Sequence, residues 1–339
     1  MSRIRIFAPD RTFLTCLRGT TEREWVLNDE GLCTIEMAQT DPKARAEYLE
    51  FGRYILIEEE GLPMWGGVID TPRQWSTHSF TVTAYSAEHL LKWRYTPNDQ
   101  SMKDLAGNLF QSLIHNANAP EDLGLRIGTI QDKGLVLEEP GGYNMLELVQ
   151  KIAKEAGCEF GFIPAIGADH RIYFMANWYH KRGTVMKTEL VEGHNVEASD
   201  NILSEQGDIY NLVVGLNDVS SPHDRITVTL GDLPSIHQYR LRESSNIFTG
   251  TKGPGLQGLT QTMLDVDKEP TRSYALNVLK VGSAWNELGV GNTGKVRMKR
   301  VGFRRETSLG RVDPIRIQAM KRNDGVDKMA ITPWLENAV

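Results

Sequence analysis

Cysteine is scarce in this chain. Its 339 residues include three, Cys16, Cys33 and Cys158, an odd number with no CxxC spacing to grip zinc or run dithiol chemistry. The fold therefore needs no covalent staple, and a reducing compartment suits its synthesis. Also missing is any run of about 18 apolar residues, the length a membrane-spanning helix needs. The N-terminal MSRIRIFAPDR alternates charge with hydrophobe, where a signal peptide would carry a continuous apolar stretch. A helical membrane span is excluded, and export is not expected.

Catalytic signatures are missing as well. The eight histidines (His78, His89, His115, His170, His180, His194, His223 and His237) form no HExxH and no i, i+4 pair, so no metal site is expected from their spacing. No GxSxG elbow appears, no SxxK opens a helix, and no cysteine has a papain-type setting. One string does tempt: GVGNTGKV at 289–296 satisfies both GxGxxG and GxxxxGK. A phosphate loop, however, needs a following helix and a Ser or Thr after the lysine. Val296 takes that place, and KVRMKRV alternates as a strand. The glycines are therefore expected to shape a β-turn. No catalytic, cofactor-binding or metal-binding residue is assigned, no cofactor is expected, and the chain is not expected to be an enzyme.

What is present reads as a globular protein with more than one core, 40% apolar and 24% charged. Period-two strands dominate both ends. RIRIFAP puts Ile4 and Ile6 on one face with Arg3 and Arg5 on the other, and SFTVTAYSA repeats the pattern with Phe80, Val82 and Ala84. RYILIEEEGLPMWGGVID predicts a hairpin whose acidic tip, Glu58 to Glu60, reads as a soluble edge. The middle changes to helical periodicity. SMKDLAGNLFQSLIHNAN predicts a helix capped by Ser101, and a second helix starts at Asn144 and stops at Gly157. CEFGFIP and RIYFMANW follow as two alternating runs around a turn. Strands return with GDIYNLVVGLND, RITVTLGD, KVRMKRVGF and DPIRIQAM, interrupted by a short helix near 255–266. The chain is thus expected to be mainly β with an α+β insert. The expected units are a β domain over 1–97, the insert over 98–190 and a second β domain over 191–339, the β parts being barrels or sandwiches.

Charge is unevenly spread. Between Lys295 and Arg322 lie ten Lys or Arg against Glu306 and Asp313, a local charge of +8 that leaves −14 on the rest of a chain whose total is −6. Such a layout suits docking between copies or onto an oppositely charged neighbour. A solvated strand face and a wall in contact with DNA are the competing readings. Lys295, Arg297, Lys299, Arg304 and Arg305 are the candidate assembly surface, with Val296 and Met298 alternating toward a core. Of seven tryptophans, Trp65 and Trp75 stand beside turns or charged residues, positions that suit either protein contact or a half-buried rim.

Taken together, YILIEEEGLPMWGGVID with SFTVTAYSAEHLLKWR, the amphipathic helices with CEFGFIP, GDIYNLVVGLND, and ELGVGNTGKVRM resemble the phage tail (baseplate) hub proteins. Trimeric hubs of that family are also found at the base of type VI secretion spikes. The resemblance covers most of the chain and rests on the order of segments. It implies two tail-tube-like antiparallel β-barrels per subunit, and a homotrimer that adapts a sixfold tail tube to a threefold tip and forms part of the channel for genome delivery. Implied partners are the distal tail or tail tube ring, a tip spike or central fibre, the tape measure protein, and DNA in passage. The implied location is the virion tail tip, assembled in the host cytoplasm. The chain departs from hubs that carry a lysozyme or peptidase domain, and the resemblance transfers no catalytic residue. The alternative from a different class is a tail-associated carbohydrate-binding or hydrolase module acting on the host cell wall, with aromatics stacked on sugars.

Overall fold

One long strand, Arg311–Asn323, organises the molecule. In the computed structural model, which describes residues 2–71, 73–97, 101–139, 141–198, 202–206, 208–218, 224–248, 254–298 and 311–335, Lys328–Leu335 pairs along one side of it. The other side is divided. Its first half pairs with Thr293–Met298, and its second half with Thr20–Val26. The register against Lys328–Leu335 shifts between Ile317 and Ala319. That bulge falls where the neighbour changes: Ile317 bonds with Gly291 and Asn292, whereas the Gln318 carbonyl accepts from Leu27. An extra residue here re-aims the strand from one partner to the next.

From Thr20–Val26 the sheet continues through Leu32–Ala38, Ser79–Ser86, Trp65–Ile69, Tyr54–Glu58, Arg3–Phe7 and Phe13–Leu17. Beyond Lys328–Leu335 it continues through Thr271–Leu279 to Ile202–Gln206. The chain is mostly β, and no closed barrel is found among the described residues. Alternation sets the faces as expected: Ile4 and Ile6 are fully buried, as are Val82 and Ala84. The YILI run of Tyr54–Glu58 does not alternate because both of its faces are covered. Ile55 and Ile57 join the N-terminal core, while Tyr54 and Leu56 face a second core.

That second core belongs to the α+β unit. Helix α1 (Ala106–Asn118) and helix α2 (Met145–Ala156) pack with a sheet of Leu125–Ile130, Ile172–Tyr179 and Glu159–Ile166. Helix α2 starts and stops as its sequence predicts. Asn144 Oδ1 accepts from Leu146 N at 3.0 Å, and Gly157 closes the helix at φ +58°, a left-handed conformation that suits glycine. Helix α1 starts later than expected. Ser101 is not its cap, because Met102–Leu105 forms a strand against Val136–Glu139 and the helix begins at Ala106. The ladder and the Lys103–Glu138 ion pair (2.8 Å) outweigh the helical periodicity of one turn.

A small sheet of Thr227–Gly231, Leu212–Asn217 and Glu243–Phe248 follows, accompanied by the short helix α3 (Leu233–Tyr239). It packs on α4 (Pro254–Asp267), whose Leu256, Leu259 and Leu264 are buried. A third core lies on the C-terminal sheet, from Tyr274, Leu276 and Val278 across Val296, Met298, Ile315 and Ile317, with Trp285 at its edge. No described helix is long and apolar enough to cross a membrane.

Candidate assembly surface

The strand Thr293–Met298 of the C-terminal sheet carries the basic candidates that fall among the described residues, Lys295 and Arg297. In Thr293–Met298, Val296 and Met298 are buried and Lys295 is exposed, so the expected alternation holds. Arg297 is half-buried, its Nη2 lying 3.2 Å from Glu189 Oε2. Leu190 and Val191 pair in parallel with Val296 and Arg297, which brings Glu189 alongside. Lys295 makes no ion pair among the described residues. Lys299, Arg304 and Arg305 lie outside the described residues.

Further along the basic stretch, the described Arg316, Lys321 and Arg322 do not form the free array the sequence suggests. Arg316 has a side chain 10% exposed and pairs through both terminal nitrogens with Glu159, which Arg182 N also contacts at 2.7 Å. Arg316 Nε further donates to Gly291 O at 3.2 Å. Lys321 pairs with Glu22. Arg322, 4% exposed, donates to Glu59 through Nε (3.1 Å to Oε2) and Nη2 (3.0 Å to Oε1). These arginines turn inward because each meets a carboxylate from a distant segment that removes the cost of an unpaired buried charge.

Glu59 overturns the reading of its hairpin tip. Glu58 pairs with Arg5 at the surface, but Glu59 is buried among Arg23, Arg322 and Lys280. Lys280 Nζ lies 2.9 Å from its Oε1, and Arg23 reaches on to Asp324 at 3.1 Å. Burial pushes the Glu59 carboxyl up, but hydrogen bonds from Arg322 and Lys280 and the charges of Arg23 and Arg322 outweigh it, holding the group at about 2. Trp285 stacks beneath Arg322 and Lys280, 5.2 and 5.4 Å from its ring centre.

This network was missed in the sequence, although one signal was there. The period of two in TTEREWV puts Arg23 on the face of Thr21, and both are 1% exposed. An arginine at an inward position needs an inward acid. The tryptophans divide: Trp65 is buried and donates to Glu24 O at 2.9 Å, whereas Trp75 is 58% exposed and its ring is engaged by Arg73 and Phe80. In the 289–296 string, Gly291 takes φ +88° and its N–H donates to Ile317 O. A strand follows, not a helix. The expected turn is confined to 289–292, where Asn292 N donates to Gly289 O at 3.0 Å, and Gly294 is instead part of the strand. Among the described residues no group of three or more metal-binding side chains gathers.

No protein-family model and no curated protein matches this chain. Solved structures do. A prophage tail protein from Listeria monocytogenes is 14% identical, with 99% of this chain and 94% of that one aligned at a TM-score of 0.63. A tail protein from Neisseria meningitidis is 11% identical, with 99% and 97% aligned at 0.66. A component of the type VI secretion system of E. coli is 11% identical, with 94% and 73% aligned at 0.52, and is described as similar in structure to T4 bacteriophage tail proteins. The chain therefore shares its overall fold with these tail and secretion-system proteins.

Proposed function

We propose that this chain is a structural component of a phage tail tip or baseplate: a trimeric hub that adapts a sixfold tail tube to a threefold tip and lines part of the channel for genome delivery. In this reading the N-terminal and C-terminal parts of the large sheet each curve into a tail-tube-like barrel, so three copies present six barrels to the tube. The hub acts without chemistry of its own. Its neighbours would be the tail tube or distal tail ring, a spike or central fibre, the tape measure protein and, in passage, DNA. The observation that carries the reading is the alignment of 99% of this chain with nearly the whole of a prophage tail protein and of a second tail protein. Co-expression with the tail tube protein, followed by light scattering and imaging of the product, tests it. Rings containing three copies are expected. A chain that stays single beside assembled tube and instead binds or cleaves cell-wall polysaccharide would overturn the proposal.

The exposed face of the basic strand Thr293–Met298 would be an assembly contact. Lys295→Glu is the cleaner probe, because reversing Arg297 also breaks its pair with Glu189. Lys295→Glu should slow tail completion and raise its salt sensitivity while leaving the melting temperature of the isolated chain unchanged. Normal assembly combined with lost DNA binding would assign this strand to the channel wall instead.

A further inference from the structure

His89 lies in the 3-10 turn Ala87–Trp93, 8% exposed, with its ring stacked on Tyr85 at 4.3 Å. Both ring nitrogens face carboxylates. Nδ1 is 2.6 Å from Glu30 Oε2, and Nε2 is 2.7 Å from Asp70 Oδ2. Ionised carboxylates only accept, so each contact requires an N–H, and only the imidazolium has two. Lys92 also binds Glu30, with Asp29 nearby, and Trp93 Nε1 donates to Asp70 Oδ2 at 2.8 Å. Glu88, the other buried carboxyl of this turn, faces away and accepts from Phe162 N at 3.2 Å. With His89 protonated, two cations meet the carboxylates of Glu30 and Asp70 and the cluster balances.

Glu30 belongs to a turn that also grips the α+β unit. Gln150 Nε2 on α2 donates to Asp29 Oδ1 at 2.8 Å, and Phe160 N donates to Asn28 Oδ1 at 2.9 Å. His89 therefore stands at one end of a hydrogen-bonded path from the end of Trp65–Ile69, through the 28–30 turn, to α2 and Glu159–Ile166.

We propose that His89 is a proton-operated latch that fastens the α+β unit to the N-terminal sheet. The neutral ring has one N–H, so on deprotonation one short contact becomes lone pair against lone pair and opens. Asp70 stays tied to Trp93 at a strand end, whereas Glu30 keeps only Lys92, whose side chain is 42% exposed. The Glu30 side yields and the 28–30 turn is released. Burial opposes the charge on His89, but hydrogen bonds to Glu30 and Asp70 outweigh it and hold the ring above its ordinary value. The latch is therefore fully closed below about pH 6.5 and opens as pH rises through that higher folded value.

Selective isotope labelling of histidine and an NMR titration of the wild-type chain test this directly. A His89 midpoint above the ordinary imidazole value is expected, and a midpoint at or below it would sink the proposal. Hydrogen exchange of residues 27–31, corrected for intrinsic rate, should quicken on the alkaline side of that midpoint in the wild type. In His89→Gln and in Glu30→Gln it should show no such step. An equal step in all three chains would equally overturn the latch.

Discussion

Glu59 receives side chains from three separate segments: Arg23 from one strand, Arg322 from another and Lys280 from the loop after Thr271–Leu279. Removing its charge leaves Arg322 buried without an acid and Arg23 with Asp324 alone, while Lys280 reaches solvent. Glu59→Gln should lower unfolding stability by about 3 kcal/mol in a denaturant titration, whereas Glu58→Gln, at the half-buried Arg5 pair, should cost less, about 1 kcal/mol. The pH dependence has a definite sign. A carboxyl held at about 2 against an ordinary 4.5 contributes stability that is complete above about pH 4.5 and is lost as pH falls toward 2, roughly 3 kcal/mol in all. Melting curves of the wild type should steepen in that window relative to Glu59→Gln. Equal acid sensitivity in both would show that Glu59 is not the group responsible. None of this could be read from the acidic run alone, because partners 36 and 263 residues away decide which of three adjacent glutamates is buried.

At the scale of elements, local periodicity served well where local forces decide. Helix α2 carries its cap, its stripe and its terminating glycine within the sequence, so its bounds were legible. Helix α1 shows the opposite case: Met102 and Leu105 fit a helical stripe, but a strand 31 to 37 residues further on claims them for a ladder. The turn at 289–292 was legible by elimination, since a strand pattern follows it. Gly291 is the position that cannot change. Its φ is +88°, and a Cβ would stand 2.7 Å from the Arg182 carbonyl oxygen, contacts that backbone cannot relieve. Gly291→Val should therefore abolish soluble expression or cut the melting temperature sharply. Gly294→Ala, which meets only the flexible Met186 side chain at 3.3 Å, should fold. Equal yields of the two variants would contradict this account of the turn. The assembly candidates were legible only in part. Alternation placed Lys295 and Val296 correctly, but nothing local signals that Arg316 is taken up by Glu159, 157 residues away.

Across the whole molecule, the three cores are not separable bodies. The N-terminal sheet shares Tyr54–Glu58 with the α+β core, and Arg311–Asn323 runs through both ends of the large sheet. Far-ultraviolet circular dichroism and tryptophan fluorescence should consequently report one coincident unfolding transition in denaturant. Two resolved transitions would show that the ends fold independently. The shared strand also sets an order of events during synthesis. Thr20–Val26 is translated long before its neighbour Arg311–Asn323, and Thr21 waits for Asp324, 303 residues later. Until then the early strands present an open hydrogen-bonding edge, the condition in which nascent chains mispair or aggregate. The large sheet is thus obliged to close late, because Thr20–Val26 stays uncovered on one side until Arg311–Asn323 has been translated.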